Sequence, residues 1–215
     1  MGSQSDQAVA LLQDMIERGE LKPGSMVSER VLVEVTGLGR TPVREALQRL
    51  ALTRMLRIHA SKGIEIPAVS VEDQLNGLEV RREMERLAVM LACQRATSKD
   101  IGEMAQLTGA LAGEFDLRGY AETVRKTHSL IIRATGNPYL EAALMPLQSL
   151  SRRFWFLHVH DEVKEIAAGK ALHAAILSAM VKRDADAACA ASLSLNDYLV
   201  HFALATVSSR ARHGH

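Results

Sequence analysis

The stretch R-T-P-V-R-E-A-L-Q-R-L, residues 40–50, decides how the N-terminal third of the chain is read. Thr41 is an N-capping residue type and Pro42 suits the first helical position, where a missing N–H costs nothing, so a helix is expected to begin here. Val43, Leu47 and Leu50 recur with a 3.6-residue period and face inward, which leaves Arg40, Arg44, Gln48 and Arg49 on other faces. The window 40–62 carries six Lys or Arg against one acid, Glu45, in a chain whose formal net charge is only +1. From residue 70 onward acids and bases cancel at 17 each, so the cationic character is local. A local basic face around a helix start is the electrostatic footprint of a phosphate-binding surface.

Outward from this helix the pattern stays simple. A first amphipathic helix is expected over 5–18, with Val9, Leu12, Met15 and Ile16 on one face and Gly19 as its stop. L-K-P-G (21–24) is a turn by composition. Ser28 can cap a second helix, with Glu29 in its first turn, that runs through Leu32 to Gly37. On the other side, M-L-R-I-H (55–59), A-S-K-G (60–63) and I-E-I-P (64–67) read as two short strands around a glycine-containing turn. Three helices and a hairpin in this order outline a winged helix-turn-helix, which Pro67 closes.

Beyond Ser70 no strand pattern occurs. Helices are expected near 71–96, 98–117, 120–135, 137–160, 162–183 and 184–207, broken at T-S-K-D, at Gly119, at T-G-N-P and near Asp184. The fold class is therefore mainly α: a winged helix-turn-helix over 1–69 and a six-helix bundle over 70–215.

Hydrophobic residues make up 47% of the 215, ample to bury such cores without staples. Cys93 and Cys189 lie far apart without metal-type spacing and read as buried thiols of a reducing compartment. No apolar run approaches the roughly 18–20 residues that a membrane span needs, and no signal-type segment opens the chain, which predicts a soluble cytoplasmic protein.

With S-E-R (28–30), R-T-P-V-R-E-A-L-Q-R-L (40–50) and the K-G turn (62–63), the sequence resembles the GntR family of bacterial regulators. P-G (23–24), E-V-R-R-E-M-E (79–85), T-G-N-P-Y-L (135–140) and H-A-A-I-L-S-A-M (173–180) match its FadR/FCD branch, whose C-terminal domain is a helical effector module. The resemblance implies a DNA-binding transcription regulator, mostly a repressor and not an enzyme. It would act as a homodimer on a pseudo-palindromic operator in double-stranded DNA, and meet the nucleoid when bound. In a helix-turn-helix the second helix enters the major groove with its N-terminal residues at base edges. Arg40 and Arg44 are the expected base readers, since arginine grips guanine O6 and N7. Thr41 and the amides around it, with Gly39 and Pro42, are expected at phosphate. Arg30 approaches the operator by resemblance, and Lys62 and Gly63 form a wing tip for the minor groove. Arg49 is a further DNA candidate with a plain surface arginine as its alternative, while Glu45 is expected to orient an arginine. The chain departs from the family at Gly39, where Ser or Thr is usual, and at T-R-M-L (53–56), where the family has E-G-L.

Many members of this branch bind a divalent metal through an Asp, four residues before a His, and two further histidines. His128 and His173 align with two of these ligands, but Val124 stands at the aspartate position, and the last histidine falls on Leu195, or on Asn196 if the register slips by one. Two donors out of four make a poor metal site, so no cofactor is expected, with His128 and His173 as weak candidates only. They are expected instead to line an effector pocket, with Arg81 pairing an effector carboxylate and Asn196 and Tyr198 adding hydrogen bonds. The implied effector is a small organic acid or related metabolite. Two alternatives stand beside this reading: a metal- or His-dependent enzyme on the helical domain, and a DNA-binding module with a vestigial pocket.

Overall fold

The computed structural model describes residues 2–213. It divides into two compact units: residues up to Ser70 together with Arg152–Leu157, and Val71–Ser151 together with the residues from His158 on. The family-type boundary expected between 69 and 70 lies here after Ser70, and a short stretch late in the chain joins the first unit.

The first unit runs α1 (Gln4–Glu17), β1 (Ser25–Val27), α2 (Glu29–Thr36), α3 (Arg40–Leu52), β2 (Arg57–His59) and β3 (Gly63–Ile66). Leu12 and Ile16 of α1, Leu32 of α2, Val43, Leu47 and Leu50 of α3 and Ile66 of β3 meet in one buried core. Each such side chain contributes about 1.5–3 kcal/mol when withdrawn from water. Ser3 and Asp6 form a capping box on α1, and Ser28 Oγ accepts the Val31 N–H at 3.3 Å, as its place before α2 requires.

Three expectations need correction here. The cap of α3 is Gly39 and not Thr41, so Pro42 occupies the third helical position, not the first. Every N–H of the first turn lacks an intrahelical partner, so proline is tolerated there too. The sheet has three strands in the order β1-β3-β2, all antiparallel, because Ser25–Val27 adds itself to the far edge of the hairpin with Val27 opposite Ile64. Residues 55 and 56 belong to no strand. They end α3: the Met55 N–H donates to Leu50 O and the Arg54 N–H to Ala51 O, both at 3.0 Å. This is a Schellman closure with Arg54 in the left-handed region at φ 59°, the place usually given to glycine.

The late stretch Arg152–Leu157 adds polar ties to this unit. Arg152 pairs with buried Glu17 at 2.9 Å, and buried Arg153 donates to Pro67 O. Phe154 and Trp155 are buried.

The second unit is built from α4 (Val71–Arg95), α5 (Ser98–Leu111), α6 (Leu117–Thr135), most of α7 (Pro138–His158), α8 (Glu162–Val181) and α9 (Ala185–His213). Gly119 breaks no helix. Asp116 caps α6 and accepts the Gly119 N–H at 2.7 Å, so the break falls at 112–116. Two arginines close helix ends: Arg183, itself at φ 56°, donates to Cys93 O and Ala96 O behind α4, and Arg95 donates to Thr135 O at the end of α6. Among the described residues no helix is long and apolar enough to cross a membrane.

Candidate functional site

In the first unit, the start of α3 presents Arg40, Thr41 and Arg44, all exposed, and no side chain caps its first turn. A helix start with open N–H groups and a positive dipole end suits an anion. Arg44 is 71% exposed, and its Nε donates to both oxygens of Glu29 at 2.9 and 2.8 Å. That pair leaves its two terminal nitrogens, the fork that would grip guanine, outside the bond. The acid that orients an arginine is therefore Glu29 of α2, and not Glu45. Arg30 is exposed in the first turn of α2. Arg49 is committed within the unit: it pairs with Asp6 of α1 at 2.8 Å and holds the Asp6 carboxyl down to about 2.

The wing tip Ala60-Ser61-Lys62 is exposed. Glu65 of β3 accepts from Arg57 at 3.0 Å and meets His59 at 2.7 Å, which fixes the hairpin behind the tip. Gly63 has a cause inside the fold. Its φ is +99°, and a Cβ there would stand 2.9 Å from Val27 O of β1.

In the second unit, α4, α6, α7, α8 and α9 enclose a cavity of about 10 Å³, room for roughly one water molecule. His128 and His173 both line it, with ring centroids 5.3 Å apart. The remaining polar wall is Glu85, Gln148 and Ser192, none of which the sequence reading named. Glu85 was legible as the i+4 partner of Arg81 on α4.

Arg81, Asn196 and Tyr198 do not line the cavity. Arg81 is 1% exposed and spends Nε and Nη2 on Glu85 Oε1, both at 2.8 Å, while Gln148 Nε2 donates to the same oxygen at 3.0 Å. One helical turn explains the correction: four residues apart on α4, Arg81 and Glu85 neutralise one another before any ligand is met. Asn196 instead donates to Leu78 O at 3.1 Å and ties α9 to α4. Tyr198 donates to Glu165 of α8 at 2.5 Å.

His173 is 4% exposed. Its Nδ1 lies 2.7 Å from Gly169 O, and a carbonyl only accepts, so Nδ1 carries the proton. Burial, aided by Arg81 and opposed by the Gly169 bond and Glu85, lowers its pKa to about 4, so the ring is neutral near pH 7. Nε2 is then a bare acceptor, and it has no hydrogen-bond partner. Tyr120 of α6 stands against the same ring, its hydroxyl 3.4 Å from Nδ1, and burial raises its pKa. A Cβ on Gly169 would meet that hydroxyl at 1.9 Å, so α8 needs glycine there.

A divalent metal does not fit these residues. Val124 and Leu195 are buried hydrocarbon at two of the four ligand positions, and Leu195 itself lines the cavity. Among the described residues no group of three or more His, Cys, Asp or Glu is placed to hold an ion.

The sequence profile of the FCD domain matches residues 76–197, and that of bacterial regulatory proteins of the gntR family matches residues 4–66. The chain belongs to the GntR family of transcription regulators. It is a DNA-binding protein with the FCD type of C-terminal domain. The Nta operon transcriptional regulator of Aminobacter aminovorans is 30% identical over 170 residues, 78% of this chain and 80% of that one. The transcriptional repressor GlaR of Escherichia coli K12 is 27% identical over 167 residues, 72% of this GntR chain and 74% of GlaR. McbR of the same organism is 35% identical over 98 residues, which span 45% of this chain and 43% of McbR. The solved structure of E. coli McbR/YncC superposes with a TM-score of 0.78 over 96% of this chain and 100% of that one, at 22% identity, a likeness of fold.

Proposed function

We propose that this GntR regulator is a repressor that binds a pseudo-palindromic operator as a homodimer and is controlled by a small metabolite in the cavity of the helical unit. The observation that carries the DNA half is the exposed start of α3, where Arg40, Thr41 and Arg44 cluster at an uncapped helix end. Arg40 and Arg44 read base edges in the major groove, and Glu29 holds the Arg44 guanidinium ready. Gly39, Thr41 and Pro42 bring the helix start against phosphate. Arg30 and the wing residues Lys62 and Gly63 add contacts on the flanks, whereas Arg49 serves the fold through Asp6. The name of GlaR supports repression, and a dimer matches the two-fold symmetry of such sites.

The protein works in the cytoplasm, has no catalytic role and needs no metal. The relatives it resembles are named as transcription regulators, and among the described residues no three His, Cys, Asp or Glu are placed to hold an ion together. One observation favours a second reading, a module whose pocket is vestigial: the cavity has room for about one water molecule.

Selection from a pool of random duplexes tests the reading. The expected product is a palindrome with half-site centres about 10 base pairs apart, or a multiple of that spacing. Non-palindromic or sequence-independent binding would refute the two-fold operator reader. Sedimentation of the free protein checks the dimer.

A further inference from the structure

The chemistry of the cavity wall restricts what can enter it. The Nδ1–H of His173 is spent on Gly169 O, so Nε2 of this cavity-lining ring is left a bare, buried acceptor with no hydrogen-bond partner among the described residues. A buried acceptor without a partner is an incomplete hydrogen bond, and a ligand donor completes it. No Lys or Arg lines the wall. Arg81, the cation that would have met a carboxylate, is neutralised by Glu85, and Glu85 itself forms part of the wall. An anion entering here meets the Glu85 carboxylate and the His173 lone pair, with no Lys or Arg on the wall to offset its desolvation. Ile131, Leu144, Ile176 and Leu195 make the rest of the lining apolar.

We infer that the cavity takes a small uncharged molecule that carries a hydroxyl or amide N–H donor on an alkyl body, with the donor directed at Nε2 of His173, and that it rejects carboxylates. This rests on the reading of the cavity as the effector site. At about 10 Å³ the cavity admits one water-sized group, so anything larger moves the helices that enclose it. Occupancy and helix arrangement are thereby coupled, which is what a sensor needs.

Lactamide and lactate are close in shape and differ in that one is a neutral donor and the other an anion. Each is titrated into the full-length protein while the imidazole nitrogens are followed by 15N NMR, with 1-amino-2-propanol as the cationic comparison. Lactamide is expected to move the Nε2 resonance of His173 and to raise the thermal midpoint, with lactate and the amine at least about tenfold weaker. His173→Phe is expected to lose the lactamide response; should that variant misfold, the wild-type Nε2 shift decides. Tighter binding of lactate or of the amine, or no response to lactamide, overturns the inference. Operator affinity measured in the same samples separates the two readings. Lactate that binds and alters DNA affinity would keep the sensor and remove the ligand class. Lactamide that binds at Nε2 without any change in DNA affinity would keep the ligand class and remove the sensor.

Discussion

Acidification should destabilise the helical unit through His173 well before its carboxylates matter. The ring is buried and faced by Tyr120 and His128 from α6 and by Arg81 and Glu85 from α4, and its pKa falls from 6.5 to about 4. Between those values the unfolded chain takes up a proton that the folded chain refuses. Stability therefore rises with pH in this window; the contribution is complete above about 6.5 and lost as pH falls toward 4. The full difference corresponds to about 3 kcal/mol, and about 2 kcal/mol is gone by pH 5. Asp6, Glu65 and Asp100 have lowered pKa values and lose their contributions only below the ordinary carboxylate values of 3.8 and 4.5, under the pH 5 limit of the comparison that follows. Urea denaturation followed by far-UV circular dichroism at pH 7.5, 6 and 5 compares the wild type with His173→Gln, which cannot titrate. The stability advantage of the wild type over the variant should shrink by about 2 kcal/mol between pH 7.5 and 5. A difference that does not change with pH would refute the buried neutral histidine, and so would an imidazole resonance titrating near 6.5.

Other perturbations test separate features. Arg54→Gly relieves a side chain held at φ 59° in the closure of α3 and should stabilise the first unit by about 1 kcal/mol, read as a higher thermal midpoint. Gly169→Ala would drive a methyl into the Tyr120 hydroxyl and should cost about 1–3 kcal/mol, with the Tyr120 ring signals displaced in the NMR spectrum. Glu29→Gln removes the charge that holds Arg44 and should reduce the preference for operator over random DNA more than it reduces binding to random DNA, with both affinities read by fluorescence anisotropy.

Much of the first unit was legible because its signals are local. The period of Val43, Leu47 and Leu50, the Ser28 cap and the glycine turn at 63 each act within a few residues. The α3 cap was misplaced by two residues because R-T-P carries capping residue types that the structure leaves unused. Strand β1 escaped notice because three residues, Ser25–Val27, become a strand only through a partner almost 40 positions away. In the helical unit, the meeting of His128 and His173 was readable from their family positions, as the lining of one cavity shows. Gln148 and Ser192 were not, since the convergence of separate helices leaves no spacing in the sequence. The role of Arg81 was misjudged because its partner lies on its own helix.

Operator reading by this protein depends most directly on the two arginines at the start of α3. Affinity for the selected palindrome and for a scrambled duplex is measured across a salt series for the wild type, Arg40→Ala and Arg44→Ala. Each substitution should cost about 1–3 kcal/mol on the palindrome, a loss of roughly tenfold or more, while binding to the scrambled duplex changes far less. Unchanged discrimination with either arginine removed would contradict base reading by α3.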